Sequence, residues 1–155
     1  MITILESSMQ YHAASIKGKR KINQDFYTTI TLNDHYFLFA VADGVGGLSD
    51  GEIASKLAIT TLIKQLKEHL SLEKAMIQSH QQIMHENKKR DHPMATTLTA
   101  CLLDTTSQKA SFAHLGDSKA IVFNDTIWMT TDHTVVQELV ELGIITDFQA
   151  KHHPE

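Results

Sequence analysis

The stretch VADGVGG, residues 41–47, ends an apolar run on a carboxylate, Asp43, and places Gly44, Gly46 and Gly47 behind it. Three chemistries are open to such a sequence. Asp-Gly is a common tight-turn pair, because glycine reaches positive φ without steric cost. A glycine-rich loop opening a helix can cradle phosphate. Here, however, Ser49 stands at the third position of G-x-G-x-x-G and no Gly-Lys-Ser/Thr follows. Asp43, Asp50 and Glu52 would also oppose a phosphate at the helix N-terminus. The third chemistry is a hard divalent cation. A carboxylate aimed by a buried strand, with backbone carbonyls exposed by glycines, suits magnesium or manganese.

A metal site needs partners. Asp25 lies in KINQDF, entering a predicted strand, and Asp117 lies in HLGDSKA, again at a strand end and beside glycine. Each could equally be a turn residue. Together they could converge on one edge of a stack of sheets. Arg20, within the Lys17-Lys19-Arg20-Lys21 cluster, reads as a solvated cation from its neighbours alone.

The elements that must position these residues follow from periodicity. Tyr11–Ile16 and Phe26–Leu32 read as strands. Asn33-Asp34 makes a hairpin turn into Tyr36–Ala42, an apolar run expected to be buried on both faces. Ser49 and Glu52 have capping-box spacing. Behind them Ala54, Leu57, Ala58, Thr61, Leu62, Leu66 and Leu70 form one helical stripe. A second helix starts near Ser71, turns Leu72, Ala75, Met76, Ser79 and Ile83 inward, and stops at His92-Pro93. Strands resume at Ala95–Leu103, Lys109–Leu115, Ser118–Phe123 and Thr126–Met129, the last two flanking an Asn124-Asp125 turn. A helix over Thr134–Leu142 is closed by Gly143. Strands, two helices, strands and a helix give an α+β fold rather than alternating βαβ units.

Composition narrows the class. The 155 residues suffice for one domain, residues 1–155, with a core. They are 42% apolar and 21% charged, with a formal net charge of -4 that argues against a nucleic-acid footprint. No apolar run approaches the ~18 residues of a spanning helix, and the N-terminus does not read as a signal peptide, so a cytoplasmic, non-membrane protein is expected. The single cysteine, Cys101, reads as a small core residue, and Trp128 and the phenylalanines as core. The ten histidines are scattered without H-E-x-x-H spacing, which excludes the usual zinc patterns; His114 and His133 are given no catalytic part. Asp50 and Glu52 read as helix-cap acids.

GKRKINQDF, VADGVGGLSDGEIAS, ATTLTACLLD, AHLGDSKAIVF and TTDHTVVQELVELGIIT occur in this order. Together they resemble the metal-dependent type 2C serine/threonine protein phosphatases, above all the bacterial branch, from about Tyr11 to Pro154. The resemblance implies a four-layer αββα β-sandwich with two manganese or magnesium ions at one edge and, in bacterial relatives, a looser third. It implies that Asp43 bridges the metals, that the Gly44 carbonyl is a ligand, and that Asp117 serves the third metal. Arg20 would grip the substrate phosphate and Asp25 would orient metal-bound waters. The implied reaction is attack of a metal-activated water on phosphoserine or phosphothreonine, without a covalent enzyme intermediate. The implied partners are a phosphoprotein and a cognate Ser/Thr kinase or its targets.

The sequence departs from the family at three points. Gln24 replaces a usual glutamate, and Val45 stands where eukaryotic relatives carry a histidine. The family's two further metal-binding aspartates, in Ser-Asp-Gly and Asp-Asn contexts, do not occur before Glu155. The fold is therefore expected to be C-terminally incomplete, with sheet edges open to self-association. The chain alone is expected to be weak or inactive. The competing reading is a non-catalytic remnant that binds phosphoproteins or another partner.

Overall fold

The computed structural model describes residues 9–45, 50–69 and 71–152. Ser49 and Leu70, which figured in the expected capping box and helix stripe, lie outside them. The chain runs β1 (Asp25–Thr31), β2 (Tyr36–Val45), α1 (Asp50–His69), α2 (Leu72–Asn87), β3 (Ala95–Thr96), β4 (Leu98–Asp104), β5 (Lys109–Leu115), β6 (Ile121–Phe123), β7 (Ile127–Met129), α3 (Val135–Glu141) and α4 (Asp147–Ala150). The α+β class holds. One antiparallel sheet has the order β1-β2-β4-β5, with β3 on the end of β2, and β6-β7 form a separate two-stranded sheet.

The first hairpin forms because Asn33 closes it. Its side-chain oxygen accepts from the backbone N–H groups of His35 and Tyr36, at 3.0 and 3.1 Å, the local bonding that makes asparagine a turn residue. Leu32 N–H then donates to the Tyr36 carbonyl at 2.8 Å. The ladder that follows pairs Thr31 with Phe37 and continues to Asp25 opposite Asp43.

Strand β2 is not buried on both faces, as its apolar run suggested. Leu38, Ala40, Ala42 and Gly44 are buried while Val41, Asp43 and Val45 are exposed. The buried set joins Ala54, Ala58, Ile59, Leu62 and Leu66 of α1 and Leu72, Ala75, Met76 and Ile83 of α2 in one core. Alanines at the sheet–helix seam let α1 lie close to the strands. On α2 all five residues expected to point inward are buried, and the Ser71 side chain caps the helix by accepting from Lys74 N–H. On α1 the expected stripe is shifted: Ser55 and Ile59 are fully buried, whereas Leu57 and Thr61 are only partly covered.

The opposite face of the sheet is lightly covered among the described residues. Tyr11 sets its ring edge-on to Phe39, with centroids 5.6 Å apart, and Trp128 of β7 lies 5.5 Å from Phe112 of β5. Trp128 is still 48% exposed and Phe123 72%, so neither is the core residue its type suggested. Cys101 is half-covered rather than buried, and desolvation pushes its thiol pKa up. Residues 11–16 form no strand; they run exposed and irregular. Strand propensity is realised only where a neighbouring strand pairs.

Candidate metal centre

Asp43 and Gly44 lie inside β2 rather than in a turn, which removes the simplest reading of the Asp-Gly pair. Residues directly opposite in an antiparallel ladder project to the same face. The Asp25–Asp43 rung therefore brings two carboxyl groups together at the end of the sheet. The Asp43 pKa is raised above the ordinary aspartate value. Desolvation is the largest cause, followed by the Asp25 charge and a side-chain hydrogen bond with Asp25; Asp117 adds to the rise and Arg20 opposes it. Two of the carboxylates read from the sequence, Asp25 and Asp117, thus act on Asp43, and Arg20 supplies the opposing charge.

Gly44 is required by close approach rather than by its φ angle. A Cβ built on it would fall 2.0 Å from the Gly51 carbonyl oxygen and 2.7 Å from the Gln24 carbonyl oxygen. The first turn of α1 is pressed against the strand at this point. Gly44 N–H donates to Gln24 O at 3.2 Å, and the buried Ser55 hydroxyl donates to the same oxygen at 2.7 Å.

Gln24 is itself 8% exposed, and its side-chain oxygen accepts from Arg20 Nη1 at 3.3 Å. Gln24 is thus a neutral amide that holds Arg20 within electrostatic reach of Asp43. Arg20 is exposed like Lys17, Lys19 and Lys21, but its bond to Gln24 ties it to the site.

Asp117 is exposed, in a loop whose Gly116 adopts φ 98° and packs against Thr97. Its charge reaches Asp43, yet no group of three or more His, Cys, Asp or Glu among the described residues stands close enough to hold a metal ion. The loop is anchored from the far side: Lys119 pairs with Asp132, His133 N–H donates to Gly116 O at 2.9 Å, and the His114 and His133 rings stack at 4.2 Å. Both histidines thus make contacts that hold this loop. Asp50 forms an ion pair with Arg90 at 3.3 Å, in keeping with its reading as a helix-start acid.

The sequence reading missed Thr97. It lies between β3 and β4, and its hydroxyl accepts from Asp43 N–H at 2.9 Å and meets the Ser118 hydroxyl at 2.6 Å. Its only trace in the sequence is the doubled threonine of ATTLTA.

The donor set suits a hard cation in kind. Asp25 and Asp43 are paired oxygen donors that repel each other when both are ionised, and a divalent ion would relieve that repulsion. They fit as a two-carboxylate portion of a site rather than a full coordination shell.

Comparison with known proteins bears on the family and the fold. Residues 14–147 match the family profile described as Protein phosphatase 2C. A Streptococcus pyogenes serotype M6 protein of protein phosphatase 2C type is 34% identical, over 90% of this chain and 61% of its own length. Protein phosphatase PhpP of Streptococcus pneumoniae is 29% identical, over 88% of this chain and 60% of its own. Among solved structures, the serine/threonine phosphatase Stp1 of Staphylococcus aureus superposes with a TM-score of 0.78 at 28% identity, over 91% of this chain and 60% of that one. The PPM Ser-Thr phosphatase MsPP of Mycobacterium smegmatis, solved in complex with cacodylate, gives 0.70 at 30% identity, over 87% and 58%. This chain spans about 60% of the length of the two streptococcal relatives. Its matched residues and its fold make it a member of the protein phosphatase 2C family.

Proposed function

We propose that the chain forms part of a metal-dependent protein serine/threonine phosphatase domain acting on phosphoproteins. The observation that supports this most is the Asp25–Asp43 rung with Arg20 tethered beside it through Gln24. Asp43 and the Gly44 carbonyl would hold manganese or magnesium, with Asp117 serving a further, looser ion. When bound, the ions supply Lewis acidity for hydrolysis of the phosphate ester. Arg20 offers a planar fork of donors to the phosphate oxygens, a geometry a lysine cannot reproduce. Asp25 accepts hydrogen bonds from water near the reacting phosphorus and so orients it. Cacodylate in the M. smegmatis enzyme is a tetrahedral oxyanion, the kind of group this arrangement would take.

A second reading is favoured by two observations among the described residues: no group of three or more potential ligands stands together, and β5 ends its sheet unpaired beside an apolar groove of about 750 Å³ lined by Leu72, Met76, Ile77 and Leu115. In that reading the chain is non-catalytic and associates through this edge with a second copy. No helix among the described residues is long and apolar enough to cross a membrane; a cytoplasmic location and a Ser/Thr kinase, or its targets, as partners belong to the proposal.

The test is hydrolysis of p-nitrophenyl phosphate with added Mn2+, for this chain and for any longer product of the same coding region. Turnover abolished by Asp43→Asn supports the phosphatase reading. Turnover that survives Asp43→Asn overturns the metal mechanism. Absence of turnover from both products, with a concentration-dependent dimer, favours the second reading.

A further inference from the structure

Asp43 and Thr97 would form an ordinary rung between β2 and the β3–β4 junction, since Gly44 pairs with Thr96 on one side and Val41 with Thr99 on the other. Half of that rung is regular: Thr97 N–H donates to Asp43 O at 2.9 Å. The other half is not. Asp43 N–H donates to the Thr97 hydroxyl at 2.9 Å, and the Thr97 carbonyl accepts from the Thr96 hydroxyl at 2.9 Å. Thr96 also donates to Asp43 O at 3.0 Å. Both peptide groups flanking the Asp43 Cα are therefore gripped by two consecutive threonines.

The Thr97 hydroxyl also reaches the next loop. It lies 2.6 Å from the Ser118 hydroxyl, while Thr99 donates to the Ser118 carbonyl at 2.6 Å. Gly116 sits so close that a Cβ there would come within 2.8 Å of the Thr97 methyl carbon. Thr97 is 7% exposed, so water competes poorly for these bonds. A hydroxyl accepts from one group while donating to another, which a ladder carbonyl cannot do.

We propose that Thr97 is a positioning residue that couples the Asp43 backbone to the loop carrying Asp117, so that the two carboxylates are placed relative to each other through one hydroxyl. The functional part of this inference rests on Asp43 and Asp117 being metal-bearing carboxylates, as proposed above. The coupling itself rests on the hydrogen bonds alone.

The test uses the full chain and two readouts. The first is amide hydrogen exchange at Asp43 measured by NMR relative to the Leu62 amide in α1, which cancels global destabilisation. Thr97→Val, close in shape but lacking the hydroxyl, should speed Asp43 exchange about 10-fold, and Thr97→Ser should leave it within about 2-fold. Ser118→Ala should speed it in the wild-type background and have no further effect in Thr97→Val. Independent, multiplying effects of Thr97→Val and Ser118→Ala would overturn the coupling. If Thr97→Val does not fold, Ser118→Ala alone decides, and unchanged Asp43 exchange overturns the proposal. The second readout is Mn2+ titration, where Thr97→Val should weaken binding about 10-fold and Thr97→Ser should not. Mn2+ binding that is equal in wild type and Asp43→Asn would defeat the metal reading while the exchange data still decide the coupling. Mn2+ binding that depends on Asp43 but is unchanged by Thr97→Val would deny Thr97 its functional part.

Discussion

Asp25 and Asp43 stand opposite each other on the last rung of the β1–β2 ladder, and burial and this pairing together make Asp43 hold its proton more tightly than an ordinary aspartate. The direction matters for stability. A carboxyl whose folded pKa exceeds its unfolded value binds its proton better in the native state. Its favourable contribution is present at low pH and is lost as pH rises from the unfolded range through the raised folded value. This is the reverse of an ion-paired aspartate.

Asp43→Asn should therefore stabilise the metal-free chain at pH 7 and flatten its pH dependence between the ordinary aspartate range and the raised one. Because Asp43 is exposed, the gain should be small, about 0.5 kcal/mol. Urea unfolding across that pH interval in a chelating buffer measures it. A less stable Asp43→Asn chain at pH 7 would contradict the repulsion.

Arg20 opposes the rise in the Asp43 pKa. Arg20→Ala should move the Asp43 titration further up, and Gln24→Ala should move it in the same direction by releasing the guanidinium. Carboxyl carbon shifts in an NMR pH titration report both; a fall in either variant would show that Arg20 does not face Asp43 in solution.

Gly44→Ala should be severely destabilising, because its methyl would meet the Gly51 carbonyl carbon at 2.4 Å and the Gln24 carbonyl oxygen at 2.7 Å. Backbone lies on both sides and neither can yield cheaply. A cost of about 3 kcal/mol is expected by denaturant unfolding, and a cost near zero would mean that α1 does not press on β2.

The two faces of the sheet should respond differently to truncation. Leu62→Ala, at a fully buried position, should cost about 3 kcal/mol through the cavity it leaves. Val41→Ala, at a position 46% exposed, should cost less than about 1 kcal/mol. Equal losses would show that something covers the Val41 face in solution.

The α2 helix was legible residue by residue because its apolar positions follow one narrow stripe. The α1 stripe was misplaced because apolar residues surround much of that helix, so periodicity alone did not single out Ile59 or Ser55. The register that makes the site was only half legible: the expected strands Phe26–Leu32 and Tyr36–Ala42 leave three residues between them, as observed, but the turn signal names only two. A two-residue Asn33-Asp34 loop would pair Leu32 with His35 and set Asp25 against Ala42. The observed loop pairs Thr31 with Phe37 and sets Asp25 against Asp43. One loop residue thus decides whether the two carboxylates share a face. The one-sided burial of β2 is not legible in its apolar run, which records what a strand can bury and not what covers it. Thr97 escaped notice because its part depends on a rotated rung that no spacing rule encodes.

Asp43 is proposed above to anchor a divalent-cation site. Isothermal titration of the metal-free chain with Mn2+ tests it most directly. Saturable binding is expected, weakening about 10-fold or more in Asp43→Asn and declining as pH falls and Asp43 takes up its proton. Isotherms that are the same for the wild type and Asp43→Asn would contradict it.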